Sequence, residues 1–241
     1  MGGTKEGELV LAPSWSWGGG RLERLLANED IRRVWLRLPR GWQDAIDSVI
    51  DGARLEEVVE DIAYIDAMDE TEKTIFRRGW GKALEVLAEH AGKREVICYR
   101  DPMGQFKDRE HCMEMLLLTL KGRIFPIKVE EWRAAVRDEA DDCTHELREE
   151  VSLLSECKGR ELCLAPGLGT EMFLNEVRHR SLAPGPRQPL DRLRLEFMRS
   201  SLVQEEPSDE AIASLVSEHL LFIGRLETKG AAEAFERISD Q

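Results

Sequence analysis

Five short apolar runs punctuate this 241-residue chain, and helical stripes separate them. The runs are 8-ELVLA-12, 33-RVWLRL-38, 95-EVICYR-100, 123-RIFPIKV-129 and 160-RELCLA-165. Pro13, Pro39, Pro102 and Pro166 follow four of them closely. Such a run reads as a buried strand stopped by a residue that has no N–H for the ladder. Pro126 sits inside the fourth run and confines that strand to an edge or a bulge.

The segments between them read as helices. In 21-RLERLLANED-30, Leu22, Leu25 and Leu26 share one face. Residues 41–92 hold three stripes, the last ending at Gly92 as a C-cap. Another helix is expected over 108–122 with Asp108 as N-cap, then one over 130–156 and one over roughly 170–180. Strand, glycine-bearing turn, helix, strand is the order of a βαβ unit, which makes parallel strands. The expected fold is therefore α/β: a mainly parallel sheet of about five strands with helices on both faces, in Rossmann-like layers. The stretch 181-SLAPGPRQPL-190 holds three prolines and reads as a linker. It divides an α/β domain, 1–180, from a helical hairpin, 181–241, expected to pack on it. Ser208 is the expected cap of the last helix, with Asp209 and Glu210 in its first turn.

Composition narrows the function classes. The net charge of −13 disfavours a protein built to grip nucleic acid. No window approaches the ~20 apolar residues of a membrane helix. The N-terminus lacks the apolar run of a secretory signal, and Glu6 stands where a myristoylation site needs Ser or Thr. These features point to the cytoplasm. Five cysteines, an odd number, argue against a disulfide framework there. Only two asparagines occur, beside abundant Glu and Arg, which points to a heat-tolerant source.

In open parallel sheets, ligands bind outside the carboxyl ends of the strands. The turns expected there are 13-PSWSWGGG-20, 39-PRGW-42, 100-RDPMGQF-106, 129-VEEW-132 and 166-PGLGTE-171. In the first, Gly18 and Gly19 let backbone N–H groups approach an anion, and Ser14 and Ser16 add hydroxyls. It matches neither G-x-G-x-x-G nor a P-loop, and core-filling Trp15 and Trp17 with turn-permitting glycines are the plainer explanation. In the last, Gly167 and Gly169 precede Thr170, a good cap, and Glu171. Arg100 is placed to clamp a carboxylate or phosphate, and Arg37 and Arg40 flank Pro39 at the same rim. Asp101 and Glu171 are the acid–base candidates if chemistry occurs there. Ordinary caps and surface ion pairs account for the same residues.

Glu-Leu-x-Leu-Ala-Pro occurs at 8–13 and again at 161–166. Two strands ending at one rim explain this without duplication. Cys143, His145, Cys157 and Cys163 supply metal-ligand types, but no Cys-x2-Cys half is present and no metal site is assigned. The acidic run Glu139, Asp141, Asp142 reads as a solvated helix face. No G-x-S-x-G elbow or H-E-x-x-H occurs.

The opening order of strand, small-residue turn, helix and a strand ending in Leu-Pro resembles the start of the TraB/TIKI-like α/β proteins over about the first 45 residues. That family's pattern has a histidine in the first turn and a glutamate at the end of the second strand. This chain has Ser14-Trp15-Ser16 and Arg37-Leu38-Pro39 instead. With both residues missing, the resemblance carries no activity to this chain and assigns it to no family.

The leading expectation is a cytoplasmic protein that binds a small anionic or nucleotide-type ligand at the rim. Whether it is an enzyme stays open, and no cofactor is specified. The competing expectation is a protein-interaction or homodimerisation module that uses Trp15, Trp17, Trp42 and the C-terminal helices.

Overall fold

The computed structural model describes residues 7–14, 20–28, 30–90, 94–175, 177–182, 187–203 and 205–230. Among them five strands form one sheet: β1 (Glu8–Ala12), β2 (Arg33–Pro39), β3 (Glu95–Arg100), β4 (Arg160–Leu164) and β5 (His179–Ser181). The order is β3-β2-β4-β1-β5, and every pairing is parallel.

Period-two alternation sorts the strand residues onto two faces. Val10, Val34, Leu36, Cys98, Leu162 and Leu164 face one core. Helices α1 (Arg21–Asn28), α2 (Gln43–Ile50), α3 (Leu55–Asp66) and α4 (Glu70–His90) complete it with Leu26, Ile46, Val59, Ile62, Leu84 and Leu87. Leu9, Leu11, Trp35, Tyr99 and Cys163 face the other core. There they meet Val151 and Leu154 of α6 (Val129–Leu154) and Leu174, which follows α7 (Thr170–Phe173). Connections running from β1 toward β3 thus use one face, and those running back use the other. A constant crossover hand requires this arrangement, and the expected two-faced α/β layering is present.

Four local expectations are corrected. Residues 123–128 form a turn and not a strand, with Ile124 and Phe125 exposed. The run looked strand-like because it is apolar, but it lines no sheet. α5 (Pro102–Gly122) starts six residues earlier than Asp108, because proline is well suited to the first helical position. That leaves Asp101 alone as the β3 turn, and 129–132 is the first turn of α6. Finally, the helix expected over 170–180 stops at Phe173, and 179–181 joins the sheet by pairing with Leu9–Leu11. Gly92, the expected cap of α4, lies outside the described residues.

The chain divides into two compact units: Met1–Pro102 with Glu150–Ala183, and Met103–Glu149 with Pro184–Gln241. Residues 103–149 therefore group with the C-terminal helices, where the linker alone had placed them in the α/β domain. In this helical unit, α8 (Pro189–Val203) and α9 (Asp209–Lys229) join α5 and α6. Ser208 caps α9 by accepting from the Ala211 N–H at 3.3 Å. His219 is buried, its Nε2 lies 3.1 Å from Thr119 Oγ1, and Trp132 meets its ring edge-on. Burial lowers its pKa to about 4, so it is neutral near pH 7. Arg194 Nε donates to Glu139 at 2.8 Å. No helix among the described residues is long and apolar enough to cross a membrane.

Candidate functional site

Because the strands are parallel, their carboxyl ends share one edge. The Ala165 N–H donates to Ala12 O at 3.0 Å and the Leu182 N–H to Leu11 O at 2.8 Å. The turns after β1, β4 and β5 therefore begin side by side. β4 is the strand of interest. Its own connection leaves on one face, while those of its neighbours β1 and β2 leave on the other. A crevice opens between strand ends whose connections diverge in this way.

Two left-handed residues and a double hydrogen bond shape the β4 turn. Ala165 has φ +50° and Gly169 φ +83°. Thr170 is 1% exposed, and both its N–H and its hydroxyl donate to Gly167 O, at 3.1 and 2.8 Å. Thr170 thus locks the loop, and Gly169 rather than Thr170 occupies the cap position of α7. Gly167 and Gly169 are buried, and Glu171 is exposed. From the β1 turn, Ser14 is exposed at the rim, while Ser16, Gly18 and Gly19 lie outside the described residues, as do Trp15 and Trp17.

On the other side of the crevice, a β-bulge interrupts the end of β2. Leu36 pairs with Cys98 but Pro39 with Arg100, so β2 carries one extra residue. Bulges re-aim side chains at strand ends. Here Arg37 turns to a carboxylate, its Nε 2.9 and 3.1 Å from the oxygens of Glu150, which is 2% exposed. Arg40 Nε donates to Tyr99 O at 3.0 Å, and the side chain is exposed. Its terminal nitrogens bond to no other described residue. Arg100 is 7% exposed, Asp101 is half-buried, and both are engaged by neighbouring groups. Asp101 follows β3 directly, whereas Glu171 lies in α7, seven residues beyond the end of β4, with β2 between the two strands.

A buried tier on the α6 side of the sheet holds other residues that the sequence pattern did not single out as a group. The Tyr99 hydroxyl lies 3.3 Å from Cys163 Sγ. Burial pushes the Cys163 thiol up to about 12 and holds the Tyr99 hydroxyl well above its usual range. Both stay neutral, so Cys163 is neither nucleophile nor thiolate ligand. Gln43 seals the exposed edge of β3: its Nε2 donates to Val96 O at 3.0 Å and its Oε1 accepts from the Cys98 N–H at 2.7 Å. Free strand edges otherwise invite foreign pairing.

Among the described residues no group of three or more His, Cys, Asp or Glu is arranged to hold a metal. Cys157 Sγ donates to Gly159 O at 3.2 Å, and exposed His145 lies 3.8 Å from Glu149. Of the acidic run, Glu139 binds Arg194, and Asp142 binds Lys107 and His111. Trp42, a candidate docking residue, is 4% exposed, and its indole N–H donates to Asp66 at 2.8 Å. A cavity of about 470 Å³ opens in the helical unit, walled by Leu118, Phe125, Pro126, Ile127 and Trp132. Lys128 stands beside it, bonded to Glu131 at 2.9 Å. No family model matches the chain, and comparison with curated proteins and solved structures finds no match.

Proposed function

We propose that this chain binds a small anionic ligand, a phosphate- or carboxylate-bearing metabolite of nucleotide type, at the carboxyl-end rim of the sheet. Arg40 is the observation that carries the reading. Its guanidinium is held through Nε to Tyr99 O, and among the described residues its two terminal nitrogens meet no acceptor, which leaves those donors for a planar anion. The bulge in β2 and the locked β4 turn support it by giving the crevice rigid walls. Ser14, exposed at the rim, would supply a further donor, and Asp101 and Glu171 are the carboxylates to test should a proton be moved. The groove in the helical unit is a weaker candidate for an anion, since its walls are apolar and Glu131 already engages Lys128. The reading is of a protein of the cytoplasm.

The test is a melting-temperature screen with inorganic phosphate, nucleoside mono-, di- and triphosphates and small carboxylates. A ligand that binds only the folded state raises the melting point. A rise with at least one anion is expected for the wild type, with loss of that rise in Arg40→Ala. Removing this exposed guanidinium with its one hydrogen bond to Tyr99 O changes unliganded stability by about 1 kcal/mol, so the ligand-induced rise is compared within each variant. A flat response to every anion, or the same rise in Arg40→Ala, overturns the proposal.

A further inference from the structure

α5 is apolar on two sides. Its inner side buries Met115, Leu118 and Thr119. Its outer side carries Met103, Phe106, Met113, Leu117 and Leu120, and the turn after it adds Ile124; all six are 48–75% exposed. The steps between 103, 106, 110, 113, 117, 120 and 124 alternate three and four, with exposed Glu110 as the one polar member. This is the seam that one helix offers to another running alongside it. With Leu116 and Phe125, also exposed, the surface amounts to on the order of 800 Å². Monomeric proteins rarely leave so large an apolar patch uncovered. It is about the area each partner contributes to a stable interface.

We propose that a second copy of this chain covers this seam, with two α5 helices packed antiparallel about a two-fold axis between Glu110 and Met113. The flanking charges favour a self-complementary partner. Lys107, bonded to Asp142, and Arg123, bonded to Glu227, flank the seam together with exposed Glu110 and Glu114, so both signs border it, whereas an anionic lipid surface asks for one sign. The antiparallel sense follows from Glu110. Parallel helices would stack the two Glu110 carboxylates at one level, while antiparallel helices set each against Met113 of the other copy. The inference is independent of the rim ligand.

Sedimentation velocity of the full chain tests it. The wild type is expected at the dimer mass at micromolar concentration. Leu117→Lys with Leu120→Lys is expected to halve that mass while the helical circular dichroism stays unchanged. Glu110→Leu removes a charge from the seam and should lower the dissociation midpoint about tenfold or more. A monomeric wild type overturns the proposal, whether or not it pellets with phosphatidylserine vesicles; pelleting would assign the seam to a bilayer. A folded double variant that keeps the dimer mass also overturns it. If the double variant loses its helical signal, an unshifted midpoint in Glu110→Leu does so instead.

Discussion

β1 and β4 carry the same six-residue pattern and lie side by side, yet no residue of one does the work of its counterpart in the other. The pairing is offset by one: Leu9 lies opposite Glu161, and Val10 opposite Leu162. Side chains alternate with period two, so the offset sends matching residues to opposite faces. Leu9 and Leu11 enter the core on the α6 side, whereas Leu162 and Leu164 enter the core on the α1–α4 side. Glu8 is half-buried near Arg160 and Arg180; Glu161 is 3% exposed beneath Trp35. Register, and not the local string, assigns each residue its surroundings. A duplicated strand would bring equivalent residues to equivalent faces, so the recurrence reflects two strands meeting the same demand: an apolar run that must stop at the rim.

The largest effects test the faces. Leu9→Ala and Leu162→Ala each remove a fully buried leucine and should each cost about 3 kcal/mol in urea unfolding. Their combination should be additive to within about 0.5 kcal/mol, because the sheet separates the two side chains. Val10→Ala with Leu162→Ala should depart from additivity by more than that, since these residues are cross-strand neighbours on one face. Stronger coupling between Leu9 and Leu162 than between Val10 and Leu162 would refute the offset.

The two glutamates should separate next. The Glu161 carboxylate accepts from the Trp35 indole N–H at 2.6 Å and the Lys158 N–H at 3.2 Å, and lies 3.7 Å from Arg33. Arg33 spans to Glu95 at 2.7 Å on the far side, giving a charged row across β4, β2 and β3 at the amino ends of the strands. Glu161→Ala strands a buried indole donor and should cost about 2–3 kcal/mol. Arg33 keeps Glu95, which holds the loss below that of a fully orphaned buried ion. Glu8 Oε2 is 3.0 Å from Arg160 Nε, but the side chain is 26% exposed. Glu8→Ala should therefore cost less than about 1 kcal/mol. Equal losses in the same denaturation experiment would remove the distinction between the strands.

What the chain's pattern disclosed follows the same logic. β1 to β4 were readable because an apolar run halted by proline is a local signal. β5 was not, because 179-HRS-181 is polar and becomes a strand only by pairing with β1. At the site, the glycines of both rim turns and the arginines around Pro39 stand out in sequence, whereas the Arg37–Glu150 pair joins residues 113 positions apart. The Tyr99–Cys163 contact likewise depends on β3 and β4 flanking β2. In α5, leucine content announced a helix from Asp108 onward, but which leucines stay outside depends on how the helical unit packs. The grouping of 103–149 with the C-terminal helices was not legible for the same reason. Proline content marks where a chain turns, and it says nothing of which earlier helices the next ones will join.

The smallest expected effect differs in sign between the two strands. Ala12 and Ala165 are the same residue of the repeated pattern. Ala12 lies in β1 and is 1% exposed, whereas Ala165 has left β4 with φ +50°. Glycine at position 12 loses a buried methyl and frees the unfolded backbone, for a cost of about 1 kcal/mol. At position 165 the Cβ is what makes the left-handed conformation costly, by roughly 1–2 kcal/mol for an L-residue. Glycine relieves that strain and gives part of the gain back as unfolded-state entropy. Ala165→Gly should therefore be neutral or stabilising by up to about 1 kcal/mol, against a loss in Ala12→Gly. Matched losses at both positions would mean that the β4 turn is not strained, and that the rigid wall assigned to the crevice needs another origin.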